Sequence, residues 1–251
     1  MDPITACRVL PHESADGPTN MARDEALLDE VSRDPTSAVF RTYGWTEPTL
    51  SLGYFQSIAE AEAEPRWGPV PIVRRPTGGG AIWHDHEVTY ALAVPRGHRL
   101  ARQNSGLYQA VHAAISATLA ELGVDARRRG GTESSGNGRR PFLCFTDRDP
   151  EDLIVGSAKV VGSAQRRRSG GLLQHGSILL RRSPQAPELP GVSDLTTAAS
   201  DAPVWAKAVS SRVPGAIGLV AEISDWPDTI LSRASQLEQT IYRDSGWTRR
   251  R

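Results

Sequence analysis

The sequence has no run of 18 or more apolar residues, and its first stretch, MDPITACRVLPHESAD, has no apolar core typical of a secretory signal. No membrane partner is therefore expected. The formal net charge is zero at pH 7, whereas a generic nucleic-acid-binding protein carries a basic excess. These absences predict a cytoplasmic protein that binds neither membrane nor nucleic acid.

Cysteine is also scarce, with only Cys7 and Cys144 in the chain. Two thiols so far apart do not indicate a disulfide framework, and no CxxC pair indicates zinc. We therefore expect no metal site. Lysine is equally rare, because Lys159 and Lys207 are the only two among 29 basic residues. A lysine kept in an arginine-rich chain can serve a purpose that arginine cannot, since lysine loses its proton when desolvated.

Hydrophobic periodicity predicts both strands and helices. Strands are predicted at 37–43, 48–55, 69–75, 87–94, 142–145, 172–180 and, as a hairpin around Gly156, at 152–165. Helices are predicted at 19–32, at 105–123 and from about Asp201 onward. The charged, glycine- and serine-rich stretch 127–140 predicts an exposed loop.

This order of elements predicts an α+β fold, in which helices pack on a mixed, largely antiparallel sheet. We find no internal repeat and no convincing linker. The sequence thus predicts a single domain over 1–251, with a core at about 20–182 and a C-terminal helical segment at about 201–251.

Three consecutive glycines, Gly78, Gly79 and Gly80, follow the predicted strand at 69–75. Glycines allow backbone amides to approach a ligand closely and to adopt positive φ. With Arg74 and Arg75 before them, they are able to hold a phosphate or a carboxylate. A tight turn between two strands is the alternative, and spacing alone favours that turn.

Other candidate residues follow along the chain. His84 with Asp85 fits an acid–base pair, but neighbours on an unbroken strand face opposite sides. Cys144 and Lys159 could form a reactive thiolate and its ammonium partner if the fold brought them together. His175 stands alone in an apolar strand. For these residues, taken from spacing alone, structural roles are the better interpretation.

Taken together and in order, RRPTGGGAIWHD (74–85), GSAKVVGSAQRR (156–167) and LLQHGSILL (172–180) resemble the catalytic domain shared by lipoate-protein ligases, biotin-protein ligases and octanoyltransferases. The resemblance extends to NMARDEALL (20–28) and YGWTEPTLSLGYFQ (43–56). The continuation HDHEVTY (84–90) and the CF pair at 144–145 are most similar to bacterial octanoyltransferases that act on the glycine-cleavage H protein. In one respect the chain is closer to the ligases, because it has Gly80 where many of these transferases have arginine.

The resemblance implies an acyltransferase that moves an octanoyl group from acyl carrier protein to a lysine of a lipoyl domain, such as the H protein. Cys144 and Lys159 would be the catalytic residues, and no cofactor would be needed. The resemblance implies substrate-binding roles for Arg74, Arg75, Gly78, Gly79, Gly80, His84, Gly162, Ser163 and His175.

Three alternatives stay open. An ATP- and magnesium-dependent lipoate ligase would use the same arginines and glycines for phosphate and would need no cysteine. An amidotransferase between lipoyl domains would use the same Cys144. A binding module without chemistry is the third, and the presence of both Cys144 and Lys159 argues against it.

Overall fold

The computed structural model describes residues 4–103, 105–131 and 141–251. Most of the predicted loop at 127–140 therefore lies outside the described residues. Within the described part, Arg127–Arg128 forms a short strand. No helix in those ranges is long and apolar enough to cross a membrane.

The strands of the described ranges are numbered in chain order. They are β1 (Ala6–Val9), β2 (Glu13–Ala15), β3 (Ser37–Trp45), β4 (Thr49–Leu52), β5 (Ile72–Arg74), β6 (Ile82–His84), β7 (Glu87–Pro95), β8 (Arg127–Arg128), β9 (Leu153–Val155), β10 (Ala158–Arg167), β11 (Gly171–Leu179) and β12 (Val220–Ile223).

The helices of the same ranges are distributed among these strands. They are α1 (Gly17–Arg33), α2 (Ile58–Glu62), α3 (Gly106–Glu121), α4 (Val192–Leu195), α5 (Ala202–Ala216), α6 (Asp228–Leu237) and α7 (Ser245–Thr248). Short 3₁₀ turns cover Pro65–Trp67, Arg99–Arg102 and Cys144–Thr146, and a π-helical turn covers Glu238–Tyr242.

The main sheet has the order β12-β1-β3-β7-β11-β10-β9-β8, with β2 beside the end of β3. From β3 to β8 every pairing is antiparallel, whereas β1 pairs in parallel with both β3 and β12. The sheet is therefore mixed and largely antiparallel. Its central strands β7 and β11 are buried along their whole length, so polar residues within them, such as Glu87 and His175, are hydrogen-bonded to other side chains.

Helices cover both faces of this sheet. Phe40 and Leu92 belong to the apolar cluster that contains α3 and α5, and their chain neighbours Val39 and Ala93 belong to the cluster that contains α1 and α6. Successive strand residues point to opposite faces, so alternate positions of one strand support two separate cores. The C-terminal helices α5 and α6 therefore belong to the same folded unit as the sheet.

A second, three-stranded sheet has the order β5-β4-β6. The link from β5 to β6 contains the three glycines, which we call the glycine loop (residues 78–80). A third apolar cluster, including Leu50, Trp67 and Trp83, holds this sheet in place. The small sheet thus positions the glycine loop beside β10 of the main sheet.

The prediction of a strand at 142–145 is wrong. Only Leu143 forms a bridge, to Ala81, and the 3₁₀ turn begins at Cys144. The Thr146 amide and hydroxyl both donate to the Leu143 carbonyl, at 3.1 and 2.7 Å. These two bonds turn the chain back at once, so the single bridge at Leu143 is not extended into a strand.

We expect Asp24→Asn to destabilise the fold strongly. Asp24 is fully buried in α1, where it accepts 2.6 and 3.0 Å bonds from Arg41 and a 2.8 Å bond from Tyr43. Removing one partner of a buried ion pair costs about 3–5 kcal/mol. Urea unfolding should show this loss. As the control, Asp34→Asn alters a half-exposed pair with Arg8 and should cost under about 1 kcal/mol; equal losses would contradict the prediction.

Candidate active site

The candidate site is a cavity of about 240 Å³ between the glycine loop, α3, β10 and the 3₁₀ turn at Cys144. Its lining combines a thiol, a buried lysine, a histidine and a serine, namely Cys144, Lys159, His112 and Ser163. Larger surface grooves of about 660 and 570 Å³ exist, but no cysteine lines either of them. The smaller cavity is therefore the better candidate for covalent chemistry.

Cys144 is held against the glycine loop by backbone contacts. Its amide donates to the Ala81 carbonyl at 2.7 Å, and the Ala81 amide donates to the Phe142 carbonyl at 2.7 Å. A Cβ at Gly80 would lie only 3.0 Å from the Cys144 nitrogen. A side chain at position 80 would therefore require the Cys144 backbone to shift by a few tenths of an ångström.

Lys159 reaches the same thiol from β10. Its Nζ lies 3.7 Å from Cys144 Sγ, 3.1 Å from the Cys144 carbonyl oxygen and 2.9 Å from Asp152 Oδ1. Burial lowers the pKa of Lys159, but the charges of Cys144 and Asp152 outweigh burial, so the pKa is raised. The side chain therefore places a positive charge 3.7 Å from the Cys144 sulfur.

Gly162 makes room for this lysine. A Cβ at position 162 would lie 2.5 Å from Lys159 Cε. Gly162 is thus placed beside the site as a spacer for the ammonium, and Ser163, next in the chain, lines the cavity.

Arg75 does not face the cavity but lies behind the glycine loop, fully buried. Its guanidinium donates to the carbonyls of Gly78 and Gly80 at 3.1 and 2.8 Å, and to the carbonyl and hydroxyl of Ser51 at 2.7 and 2.8 Å. Burial lowers its pKa to about 10, which leaves it charged at neutral pH. Arg75 therefore binds the loop to β4.

Arg74 is used in the same way at the other side of β5. Its guanidinium donates to the carbonyls of Gly53, Gln56 and Thr248 at 2.9, 2.7 and 2.7 Å. Both arginines are therefore occupied by backbone carbonyls. Neither arginine lines the cavity.

His84 continues the chain of contacts from Arg75. Its Nε2 lies 2.6 Å from Ser51 Oγ and its Nδ1 lies 2.8 Å from Glu87 Oε1. The ring also stacks on Trp45, with centroids 3.9 Å apart. Burial lowers the pKa of His84, so a neutral ring donates to Glu87 and accepts from the serine. The structure thus gives His84 a supporting position.

His175 supports the loop from its other end. Its Nε2 lies 2.6 Å from Thr77 Oγ1, and its Nδ1 lies 2.8 Å from Asp24 Oδ2. Two buried chains of carboxylate, histidine and hydroxyl therefore hold the glycine loop, one ending at Ser51 and one at Thr77. Each side chain in them is buried, so neither hydroxyl is placed to attack a substrate.

Sequence reasoning missed His112, which sits in α3 and lines the cavity. The signal was an ionisable residue next to Val111, inside an otherwise apolar helical stripe, with Tyr108 one turn earlier. No group of three or more metal-ligating side chains occurs among residues 4–103, 105–131 and 141–251.

Residues 16–189 match the family model described as Lipoyl protein ligase A/B catalytic domain. The octanoyltransferase LipM of Symbiobacterium thermophilum is 40% identical over 184 residues, which make up 70% of this chain and 66% of that relative. LipM of Bacillus subtilis is 41% identical over 170 residues, covering 64% of this chain and 60% of the relative. The chain thus spans just under two thirds of the length of the curated relatives that it matches.

Two solved structures share the fold. Lipoate-protein ligase A bound with ATP gives a TM-score of 0.77 at 19% identity, covering 97% of this chain and 98% of that chain. A bi-partite lipoate protein ligase from Thermoplasma acidophilum gives 0.74 at 18% identity, covering 98% and 96%. These likenesses confirm the predicted α+β fold class.

We expect Gly53→Ala to disturb the glycine loop. A Cβ at position 53 would lie 1.9 Å from the Gly79 carbonyl oxygen, so the loop backbone must move. Such overpacking costs about 1–3 kcal/mol, measurable by urea unfolding. Gly215→Ala is the control, because nothing lies within 4 Å of a Cβ there. In α5 that change should stabilise by about 0.5–1 kcal/mol, and a matching loss in both variants would refute the explanation.

We also expect the free energy of unfolding to fall as pH drops below about 6.5. In the folded protein, burial lowers the pKa of His84 and His112 below the ordinary 6.5. At a pH between the lowered pKa and 6.5, the unfolded chain therefore binds protons that the folded chain does not. Each histidine then contributes up to about 1.4 kcal/mol per pH unit. Stability measured from pH 7 to 5 should show this slope.

The slope should flatten in His84→Gln, whose side chain has no proton to gain. His86→Gln is the control, since His86 is about one-third exposed. A slope unchanged in both variants would argue against the buried histidines as its source.

Proposed function

Because this chain belongs to the lipoyl protein ligase A/B catalytic domain family, we propose that it is an octanoyltransferase of protein lipoylation. It takes an octanoyl group from acyl carrier protein, holds it on Cys144 and passes it to a lysine of a lipoyl domain. The observation that carries the proposal is the distance of 3.7 Å between Lys159 Nζ and Cys144 Sγ in the cavity. The relatives named octanoyltransferase support the choice of acyl group.

In the first half-reaction, the Cys144 thiolate attacks the thioester carbonyl of octanoyl-acyl carrier protein. A new C–S bond forms, the carrier thiolate leaves, and the enzyme becomes an octanoyl thioester. The Lys159 ammonium stabilises the thiolate before attack and the oxyanion during it. Backbone amides at Gly79 and Gly80 are the proposed lining for the acyl group, which is consistent with their place in the cavity wall.

In the second half-reaction, the amine of an acceptor lysine attacks the enzyme thioester and yields an amide. Exchange between thioesters is close to balanced, and conversion of a thioester into an amide is downhill. The reaction therefore needs no cofactor. We propose the glycine-cleavage H protein as the acceptor, and a cytoplasmic location stays a prediction from the sequence.

The ligase alternative would activate free lipoate with ATP and magnesium. Its use of Arg74 and Arg75 for phosphate is disfavoured by the backbone carbonyls that occupy both guanidinium groups. Gly78 and the supporting residues His84, His175 and Gly162 serve, in the proposed transferase, to keep the cavity in shape. An amidotransferase would use the same Cys144 but take the octanoyl group from the H protein and pass it to a dehydrogenase subunit.

Intact-protein mass spectrometry after mixing with octanoyl-acyl carrier protein tests the proposal. We expect one added octanoyl group on the wild type and none on Cys144→Ala. The control is Cys7→Ala, which should still be acylated, because Cys7 is fully buried and burial raises its pKa to about 12. If the wild type stays unmodified but consumes ATP with free lipoate, the protein is a ligase. If only an octanoylated lipoyl domain acylates Cys144, it is an amidotransferase.

Lys159→Arg should keep the charge but lower turnover at least about 100-fold. The planar guanidinium is broader than an ammonium, and the lysine already lies against Gly162 and Asp152. Steady-state transfer to the H protein measures the effect. Lys207→Arg, at the only other lysine, should leave turnover unchanged. Near-normal turnover in Lys159→Arg would remove this residue from the mechanism.

A further inference from the structure

A chain of hydrogen bonds runs from the cavity wall into the protein through Ser163 and His112. His112 Nδ1 lies 2.5 Å from the carbonyl oxygen of Glu151, and its Nε2 contacts Ser163 Oγ. A carbonyl oxygen only accepts, so Nδ1 carries the proton and Nε2 holds a free lone pair. The serine hydroxyl therefore donates to His112.

The other hydrogen bonds of this network are donated in the same direction. Because the Ser163 proton points to His112, the contact between Tyr90 and Ser163 must have the phenol as donor. The Gln174 amide donates to the Tyr90 oxygen at 3.2 Å, and the Gln165 amide donates to Gln174 Oε1 at 2.8 Å. All the donors in this chain point one way, so Ser163 Oγ is held with its proton directed at the lone pair of His112.

Exposure differs sharply between the two residues at the cavity. His112 is only 1% exposed, whereas Ser163 is partly exposed on the cavity wall. A substrate amine can therefore touch the serine, and the histidine only through it. Burial lowers the pKa of His112, which keeps the ring neutral and able to accept a proton at neutral pH.

The cavity's other nitrogen base is not available for this task. Lys159 Nζ is bound to Asp152 and to the Cys144 carbonyl, and its neighbouring negative charges raise its pKa. An ammonium that stabilises the leaving thiolate cannot also take up a proton. The second half-reaction therefore requires a separate proton acceptor.

We propose that Ser163 and His112 form a proton relay that deprotonates the ammonium of the acceptor lysine so that it can attack the acyl-enzyme. This inference rests on the proposed octanoyl transfer. Ser163 is the catalytic residue that touches the amine, and His112 acts through it. No such partnership was expected for Ser163 from the sequence.

Atoms and charges balance in this step. The lysine ammonium gives one proton to Ser163 Oγ while the serine proton passes to His112 Nε2. The neutral amine then attacks the thioester carbonyl, the C–N bond forms and the C–S bond breaks. The second proton on nitrogen passes to solvent, Cys144 leaves as a thiolate beside Lys159, and the imidazolium releases its proton to solvent.

The cavity rim suits the arrival of a lysine. Asp147, Asp149, Glu151 and Asp152 all line the cavity. Asp152 is paired with Lys159 and Glu151 with Arg128, so four carboxylates face two cations. Negative charge at an entrance raises the local concentration of a cationic side chain. An ammonium drawn there must still lose its proton to react, which is the role that the relay fills.

The test separates the two half-reactions. The octanoyl-enzyme is formed with octanoyl-acyl carrier protein, isolated, and chased either with the glycine-cleavage H protein or with hydroxylamine, an amine that is unprotonated at neutral pH. In His112→Gln, acylation should stay within about threefold of the wild type. The chase with the H protein should slow by about 100-fold or more, as is typical for loss of a general base. The chase with hydroxylamine should stay near the wild-type rate.

Ser163→Ala removes the first member of the relay and should show the same split between the two chases. His98→Gln is the matched control, because His98 is buried and bonded to a carbonyl, that of Ile217, but lies away from the cavity. It should change neither half-reaction.

The outcomes are distinct. If the wild type forms no octanoyl-enzyme, the proposed function fails, and the relay fails with it. If acylation occurs but both relay variants transfer to the H protein at the wild-type rate, the relay is overturned and the function stands. Equal losses in acylation and in both chases would show that His112 and Ser163 only maintain the fold, which also overturns the relay.

Discussion

The guanidinium of Arg75 is the constraint on which the site geometry depends. It is fully buried and joins the carbonyls of Gly78 and Gly80 to Ser51 on β4. Gly80 lies against Cys144, and the Cys144 amide is bound to Ala81. The position of the thiol is therefore set by a buried cation that never touches it. Burying such a charge is costly unless its donors are satisfied. Oxygens of the loop and of Ser51 accept from both terminal nitrogens of Arg75, whereas its Nε has no partner among the described residues.

Basic residues divide into two kinds in this protein. Arg74 and Arg75 use planar, multidentate groups to bind several carbonyls at once, which a single ammonium could not do. Lys159 is a compact charge that fits between Gly162, Asp152 and the thiol. The same division explains why exchanging lysine for arginine at 159 should matter although the charge is kept. In this cavity the shape of the cation decides its role as much as its sign.

Much of the framework could be predicted from the sequence. The helices at 17–33 and 106–121, the strands at 87–95 and 171–179, and the hairpin at Gly156 follow local periodicity and turn chemistry. The prediction of a strand at 142–145 was wrong because the apolar residues there pack around a 3₁₀ turn and do not pair with a neighbouring strand over several residues. Arg75 and His84 are in the predicted site segment, but their side chains lie behind the loop, and no local pattern reports which way a buried polar group points.

By itself, the sequence determined the fold class, because hydrophobic period and turn residues are local properties. The candidate thiol and lysine followed from the family resemblance that the ordered motifs carry. Only the tertiary structure decided that Lys159 reaches Cys144, since a β-hairpin and a 3₁₀ turn must first bring them within 3.7 Å. The pairing of His112 with Ser163 is likewise tertiary: α3 and β10 lie far apart in the chain, and a hydrogen bond between them exists only once both are packed. Chemistry that depends on distances between distant elements is fixed by packing and cannot be obtained from residue order alone.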